Sequence, residues 1–352
     1  MRRRRSRTRL IGATAATLLL VLCVALPTVA GAQTASDAVA SRASRNPVDA
    51  ATVASRAAAS RAVASRAQKR SGPTEYGCPL FPASNALNQD ISRAPVDPSS
   101  ARYVASIGLS GHLHPDFGTP PSYGIPYTVV GPGQAKVPVR FSEFGEESEP
   151  GPYPIPPGAP IEGAGEGGDR HVLVLQRGSC RVYELYSARR SGSGWGAGSG
   201  AVFDLRSNAL RPEGWTSADA AGLPILPLLV RYPEVRAGSI DHALRVTVQR
   251  TQRGYIHPAT HFASSSSDPS LPPMGLRLRL RASYSLASFH GESLVVLRAL
   301  KRYGLIVADN GSSWYITGAP DPRWDDADLE QIKRVPGSAF EAVQSGAIRH
   351  RG

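Results

Sequence analysis

The stretch "GLRLRLRASY", residues 275–284, alternates apolar and charged side chains without a break. Successive residues of a strand point to opposite faces, so a period of two gathers Leu276, Leu278 and Leu280 on one side and Arg277, Arg279 and Arg281 on the other. A helix would scatter the same three leucines around its circumference. The segment therefore requires a sheet with a buried face, and the rest of the chain has to supply its partners.

Several stretches do. "HVLVLQRGSCRVYELY" (171–186) is two apolar runs about Arg177-Gly178, which predicts a hairpin, and "AVFDLR" (201–206) predicts a third strand. "HALRVTVQ" (242–249) alternates with Leu244, Val246 and Val248 on one face. In "LIVADNGSSWYIT" the pair Asn310-Gly311 accepts positive φ at both positions and predicts a two-residue hairpin turn. "ESLVVLRALKRYG" (292–304) changes period: Leu294, Leu297 and Leu300 form a helical stripe, Arg298, Lys301 and Arg302 avoid it, and Gly304 stops it. A short helix over "DDADLEQIKR" ends before Pro336. The 30 prolines and 35 glycines, dense in residues 151–169, put long loops between these elements. The expected fold class is α+β. It is a β-rich single domain over residues 76–345, with an antiparallel sheet core, several long Pro/Gly loops and a few packed helices. Residues 346–352 are expected to be a flexible C-terminus.

The N-terminal residues point outward from the cell. "MRRRRSRTRLIGATAATLLLVLCVALPTVAGAQT" has arginines, then an apolar run shorter than a bilayer span, then Ala30-Gly31-Ala32. It reads as a signal peptide over 1–32, with no transmembrane segment in the mature chain. Residues 33–75 repeat Ala-Ser-Arg and hold too few large apolar side chains for a core, so a disordered basic linker is expected there. The net charge of +12 is concentrated in this region. Residues 1–72 hold thirteen of the 40 Lys/Arg and two of the 28 acids, which leaves 27 basic against 26 acidic residues beyond. That balance argues against nucleic acid as a partner and for a tail that meets an anionic cell envelope. Cys78 and Cys180 remain after the leader, an even pair that predicts a disulfide in an exported chain. Closing so long a loop is worth up to about 4–5 kcal/mol.

The blocks "VFDLRSNALRPEGWTSADAAGLPILP", "IDHALRVTV" and "YGLIVADNGSSWYITGAPDPRWDD" resemble a group of secreted bacterial proteins of uncharacterised function. The resemblance spans nearly all of residues 77–345. It implies export and a single folded unit, and it carries over no catalytic residue.

Most familiar chemistry is absent from the residues. His257-x-x-x-His261 has the spacing of a zincin helix, but Pro258 stands where the general base would be. His112-x-His114 is a second pair. The chain has no nucleophile elbow, phosphate loop, dinucleotide fingerprint or C-x-x-C motif, and no metal or other cofactor is expected. One pairing suits catalysis. If the strands carrying Glu184 and Asp204 pair symmetrically about Gly194, the two carboxyls face each other at the short separation a retaining glycosidase uses. His257 or His261 could serve instead as the base of a polysaccharide lyase. His114 and the row Arg277, Arg279 and Arg281 are candidate substrate contacts for an acidic sugar polymer. The expectation is a secreted protein that acts on extracellular polysaccharide by glycoside cleavage. The alternative is a non-catalytic protein that binds cell envelope or matrix.

Overall fold

The computed structural model of the protein describes residues 72–165 and 167–351. The leader, its cleavage site and the Ala/Ser/Arg repeats lie outside the described residues. The linker ends sooner than expected, because Thr74–Glu75 (β1) already pairs with Cys78–Pro79 (β2). Cys78 is bonded to Cys180, with Cα atoms 5.3 Å apart, and this ties β2 to the turn that begins Arg181–Tyr186.

In chain order the further strands are His114–Asp116 (β3), Tyr127–Val130 (β4), Val139–Phe141 (β5), Val172–Gln176 (β6), Arg181–Tyr186 (β7), Arg189–Ser191 (β8), Gly194–Ala197 (β9) and Ser199–Asp204 (β10). Then come Leu244–Val248 (β11), Arg277–Leu280 (β12), Leu305–Asn310 (β13), Tyr315–Thr317 (β14) and Phe340–Ala342 (β15). A four-stranded sheet runs β10-β7-β6-β4, a six-stranded one β15-β12-β13-β11-β14-β3, and a small one β5-β9-β8. The helices are Ser100–Ile107 (α1), Tyr232–Ala237 (α2), Gly291–Arg302 (α3) and Asp326–Leu329 (α4). The protein is thus α+β and rich in strands. Its sheets are mixed, with parallel pairs such as β11 with β13 and β4 with β6 beside the antiparallel ones. Among the described residues no helix is long and apolar enough to cross a membrane.

Burial explains the sequence of the central strands. All five residues of β6 are buried. Leu173 and Leu175 join the main core, whereas Val172 and Val174 face a second cluster with Tyr153, Tyr183 and Trp195. A strand covered on both faces reads as a continuous apolar run, as this one does. Helix α3 packs on β12, with Leu297 and Leu300 fully buried. Gly304 follows with φ of +69°, and a Cβ there would lie 2.1 Å from the Leu278 carbonyl oxygen, so only glycine fits.

Three expectations fail on pairing. The Asn310-Gly311 turn does not make a hairpin, because β11 is inserted between β13 and β14. The arginine row of β12 is not a solvent face. Arg277 and Arg279 are buried, since the segment 86–94 covers that side. Arg277 donates to the Ala86 and Tyr303 carbonyls, and Arg279 to those of Ile91 and Ala94 while pairing with Glu341 at 2.8 Å. Of the row only Arg281 is exposed, and it donates to the Phe340 carbonyl at 3.2 Å. The C-terminus, finally, is held rather than flexible: Arg349 and Tyr255 exchange backbone hydrogen bonds of 3.0 and 2.8 Å.

Candidate functional site

The largest effect on the site comes from one extra residue. In the parallel pair of β11 with β13, Arg245 lies opposite Ile306 and Val246 opposite Val307, but Thr247 lies opposite Asp309. Ala308 is the bulged residue. Alternation without the bulge would put Asp309 on the far face; with it, Asp309 shares a face with Arg245 and Thr247. The Arg245 guanidinium then lies 3.9 Å from Asp309.

Arg245 is itself buried and fully engaged. Its Nε and Nη2 donate to the two Asp219 carboxylate oxygens at 2.9 and 2.7 Å, and its Nη1 donates to Thr317 Oγ1. Asp219 is held by a tight loop. Its N–H donates to Ser217 Oγ, while its carbonyl accepts from Gly222 N–H at 3.0 Å. Gly222 has φ of +71°, and a Cβ there would strike Thr260 Oγ1 at 2.2 Å. Arg211 braces the loop from outside by pairing with Glu149 at 2.6 Å and lying over Phe203 and Trp215.

Above this buried pair opens a cleft of about 280 Å³. Tyr186 and Ser199 come to it from the four-stranded sheet, Asp169 from the turn before β6, Asp309 and Asn310 from β13, and His261 from the loop beyond β11. Burial raises the Asp309 carboxyl well above the ordinary range, and the neighbouring Asp219 charge raises it further against the pull of Arg245. Asp309 thus lines the cleft with its carboxyl biased toward the protonated form. His261 Nδ1–H donates to the Ala220 carbonyl at 2.8 Å. In the neutral ring that leaves Nε2 with the lone pair, the form a general base needs.

Beneath the loop His171 is fully buried. Its Nδ1 meets Glu162 at 2.7 Å and its Nε2 meets the Ala218 carbonyl at 2.9 Å. Both partners accept, so both nitrogens donate and the ring is an imidazolium. Burial opposes that charge, but the Glu162 hydrogen bond and charge outweigh it and take the group up to about 9.

The residues expected from sequence are only partly brought together. Glu184 and Asp204 do not pair. The β8–β9 excursion between their strands sets Ala201 opposite Glu184 and Arg181 opposite Asp204. The three-residue offset is odd, so the two carboxyls also point to opposite faces. Asp204 is exposed and accepts from Arg206 N–H, whereas Glu184 is sealed. Its oxygens accept from the N–H groups of Ile225 and Leu226 at 2.9–3.0 Å, closing a turn. Burial raises it to about 7, against those hydrogen bonds. His257 lies outside the cleft lining, with Nε2 2.6 Å from Glu213 Oε1. His114 stacks on Tyr315 with centroids 4.1 Å apart and its Nε2 meets Tyr123 OH, a packed position on edge strand β3. Of the proposed catalytic and substrate residues, His261 alone lines the cleft. Among the described residues no group of three or more His, Cys, Asp or Glu gathers to hold a metal.

Asp219, Arg245 and Asp309 escaped sequence reasoning. A signal existed for two of them: Arg245 interrupts "ALRVTV", and Asp309 closes the apolar run "LIVAD". A charge in an alternating strand reads as a solvent-facing residue, and one beside a turn signal reads as part of the turn, so neither stands out. The sequence matches no protein-family model, and neither a curated protein nor a solved structure is significantly similar to the chain.

Proposed function

We propose that the chain is an exported protein that acts on extracellular polysaccharide, with Asp309 as the general acid and His261 as the base of glycoside cleavage. The observation that carries this reading is the place of the Asp309 carboxyl in the cleft lining, 3.9 Å from the Arg245 guanidinium of a fixed Asp219–Arg245 pair, where burial favours its protonated form. A glycosidic oxygen leaves readily only when it is protonated as the bond breaks, and a carboxyl that keeps its proton at neutral pH supplies it. Tyr186, Ser199 and Asn310 in the lining can hydrogen-bond sugar hydroxyls. His261, with its free Nε2, takes the proton of an attacking water or of a sugar carbon. The disulfide is the kind an oxidising compartment sustains. The rival reading, binding without chemistry, uses the same cleft and differs in what Asp309 does.

Incubation of the purified full chain with a panel of polysaccharides, read by new reducing ends and by ultraviolet absorbance, tests the proposal. Product from at least one polymer, lost in Asp309→Asn with binding retained, supports it. No product from any polymer, or equal product from Asp309→Asn, sinks it.

A further inference from the structure

The C-terminal segment builds a second charged surface next to the cleft. Besides the Arg349–Tyr255 backbone pair, His350 Nδ1–H donates to the Arg253 carbonyl at 2.6 Å. This docking sets Arg349, His350 and Arg351 alongside Arg253 and His257. Arg253, Arg349, His350 and Arg351 are exposed, and His257 is half-buried. None of the ion pairs among the described residues uses Arg253, Arg349 or Arg351. The carboxylate nearby, Glu213, is engaged on both oxygens, by Tyr255 O–H and by His257. Residues 73–352 balance 27 basic against 26 acidic side chains, so three arginines facing the single carboxylate of Glu213 are a local concentration and not a share of a general excess.

Phe262 joins this patch to the cleft. The Arg253 guanidinium lies 5.6 Å from its ring centre. Phe262 also stacks with the cleft residue His261, centroids 5.8 Å apart and planes within 4°. A chain lying across Phe262 would therefore meet the basic patch at one end and the Asp309 cleft at the other.

We infer that the patch is a docking surface for a polysaccharide that carries carboxylates spaced by uncharged sugars, with an uncharged unit entering the cleft. The cleft half of this inference rests on the function proposed above; the patch half does not. Guanidinium forks match planar carboxylates, and Arg253, Arg349 and Arg351 offer three at the cleft's edge. Asp169 in the cleft lining makes no ion pair among the described residues, and its charge disfavours an anionic unit there, so a polymer charged at every unit fits poorly. A nucleic acid strand, with a phosphate roughly every 3.4 Å per strand in a duplex, could not leave the cleft position uncharged. A glycan that alternates acidic and neutral units can.

The test uses full-length protein and immobilised hyaluronan, whose units alternate between a uronic acid and a neutral amino sugar. Carboxyl-reduced hyaluronan, oligo(dT) and phosphatidylglycerol vesicles serve as comparisons. The wild type should bind hyaluronan in a salt-sensitive manner and bind the carboxyl-reduced polymer much more weakly. The triple variant Arg253→Ser/Arg349→Ser/Arg351→Ser should bind hyaluronan about tenfold more weakly, the sum of three exposed charge contacts, with an unchanged melting temperature. Wild-type protein that binds hyaluronan through the patch but cleaves no polymer would overturn the proposed function alone. Equal binding by the triple variant would assign the affinity to the N-terminal arginines and overturn the inference. So would equal binding of the carboxyl-reduced polymer, or a patch-dependent preference for oligo(dT) or vesicles.

Discussion

Glu184 in the four-stranded sheet and Asp309 in the six-stranded sheet are both carboxyls raised by burial, and they differ in what surrounds the oxygens. Glu184 is sealed, and its oxygens are taken up by the backbone N–H groups of a turn. Asp309 has one oxygen on its neighbour's amide, Asn310 N–H at 2.7 Å, and stands at a cleft wall with a second carboxylate and an arginine behind it. A raised carboxyl is thus a sign of function only when it reaches a place where a ligand can meet it. The sealed one is explained by hydrogen-bond accounting: buried N–H groups need acceptors, and Glu184 supplies them.

The comparison breaks most visibly under substitution. Asp309→Asn keeps the shape and removes the proton donor, so cleavage should fall roughly 10²–10⁴-fold in kcat. Glu184→Gln should leave kcat at the wild-type value; a comparable loss in both would show that the two carboxyls act as one unit. Next in size, Arg245→Met leaves Asp219 buried without its counter-charge and should cost about 3–5 kcal/mol in urea unfolding. A loss below about 1 kcal/mol would mean that the pair is dispensable to the fold. Glu184→Gln replaces one acceptor oxygen by a donor facing an N–H group, and should cost about 1–3 kcal/mol. In a thermal melt each kcal/mol lowers Tm by roughly 2–4 °C.

The smallest effect is in the pH dependence of stability. A carboxyl raised in the folded state stays protonated there while the unfolded chain already releases its proton, so stability falls as pH rises between the two values. For Glu184 that window runs from about 4.5 to about 7. Glu184→Gln should flatten the decline there without loss of activity, whereas Asp309→Asn flattens it and removes activity. His171 titrates higher. Its stabilisation is complete below about 6.5 and lost as pH rises to about 9, and His171→Asn should flatten only that limb. A single unbroken slope that neither variant changes would show that neither group is linked to folding.

Much of the architecture was legible because it depends on local period. The hairpin of residues 171–186 follows from two apolar runs about a turn pair, and helix α3 with its Gly304 stop and the short helix before Pro336 follow from helical spacing and stop residues. The cysteine pair, Cys78 with Cys180, followed from an even count. The site was mostly illegible because it depends on register. A smooth turn would set Glu184 opposite Asp204, and the β8–β9 excursion shifts the pairing by three residues. For β12, alternation reveals two faces but not what covers the arginine face. Here residues 86–94, nearly two hundred positions away in sequence, cover it.

The sequence by itself determined the strands of 171–186, 201–206, 242–249 and 275–284, the helix that Gly304 stops, that Cys78 and Cys180 are a pair, and that charge is concentrated at the N-terminus. These are properties of neighbouring residues and of counts, and they persist whatever the segments pack against. The tertiary structure alone decided that Asp309 joins Arg245 and Asp219. That meeting needs a bulge at Ala308 in a parallel pair, a loop folded back over it, and a sheet order with β11 between β13 and β14. One residue more or less in any of these turns the carboxyl to the opposite face.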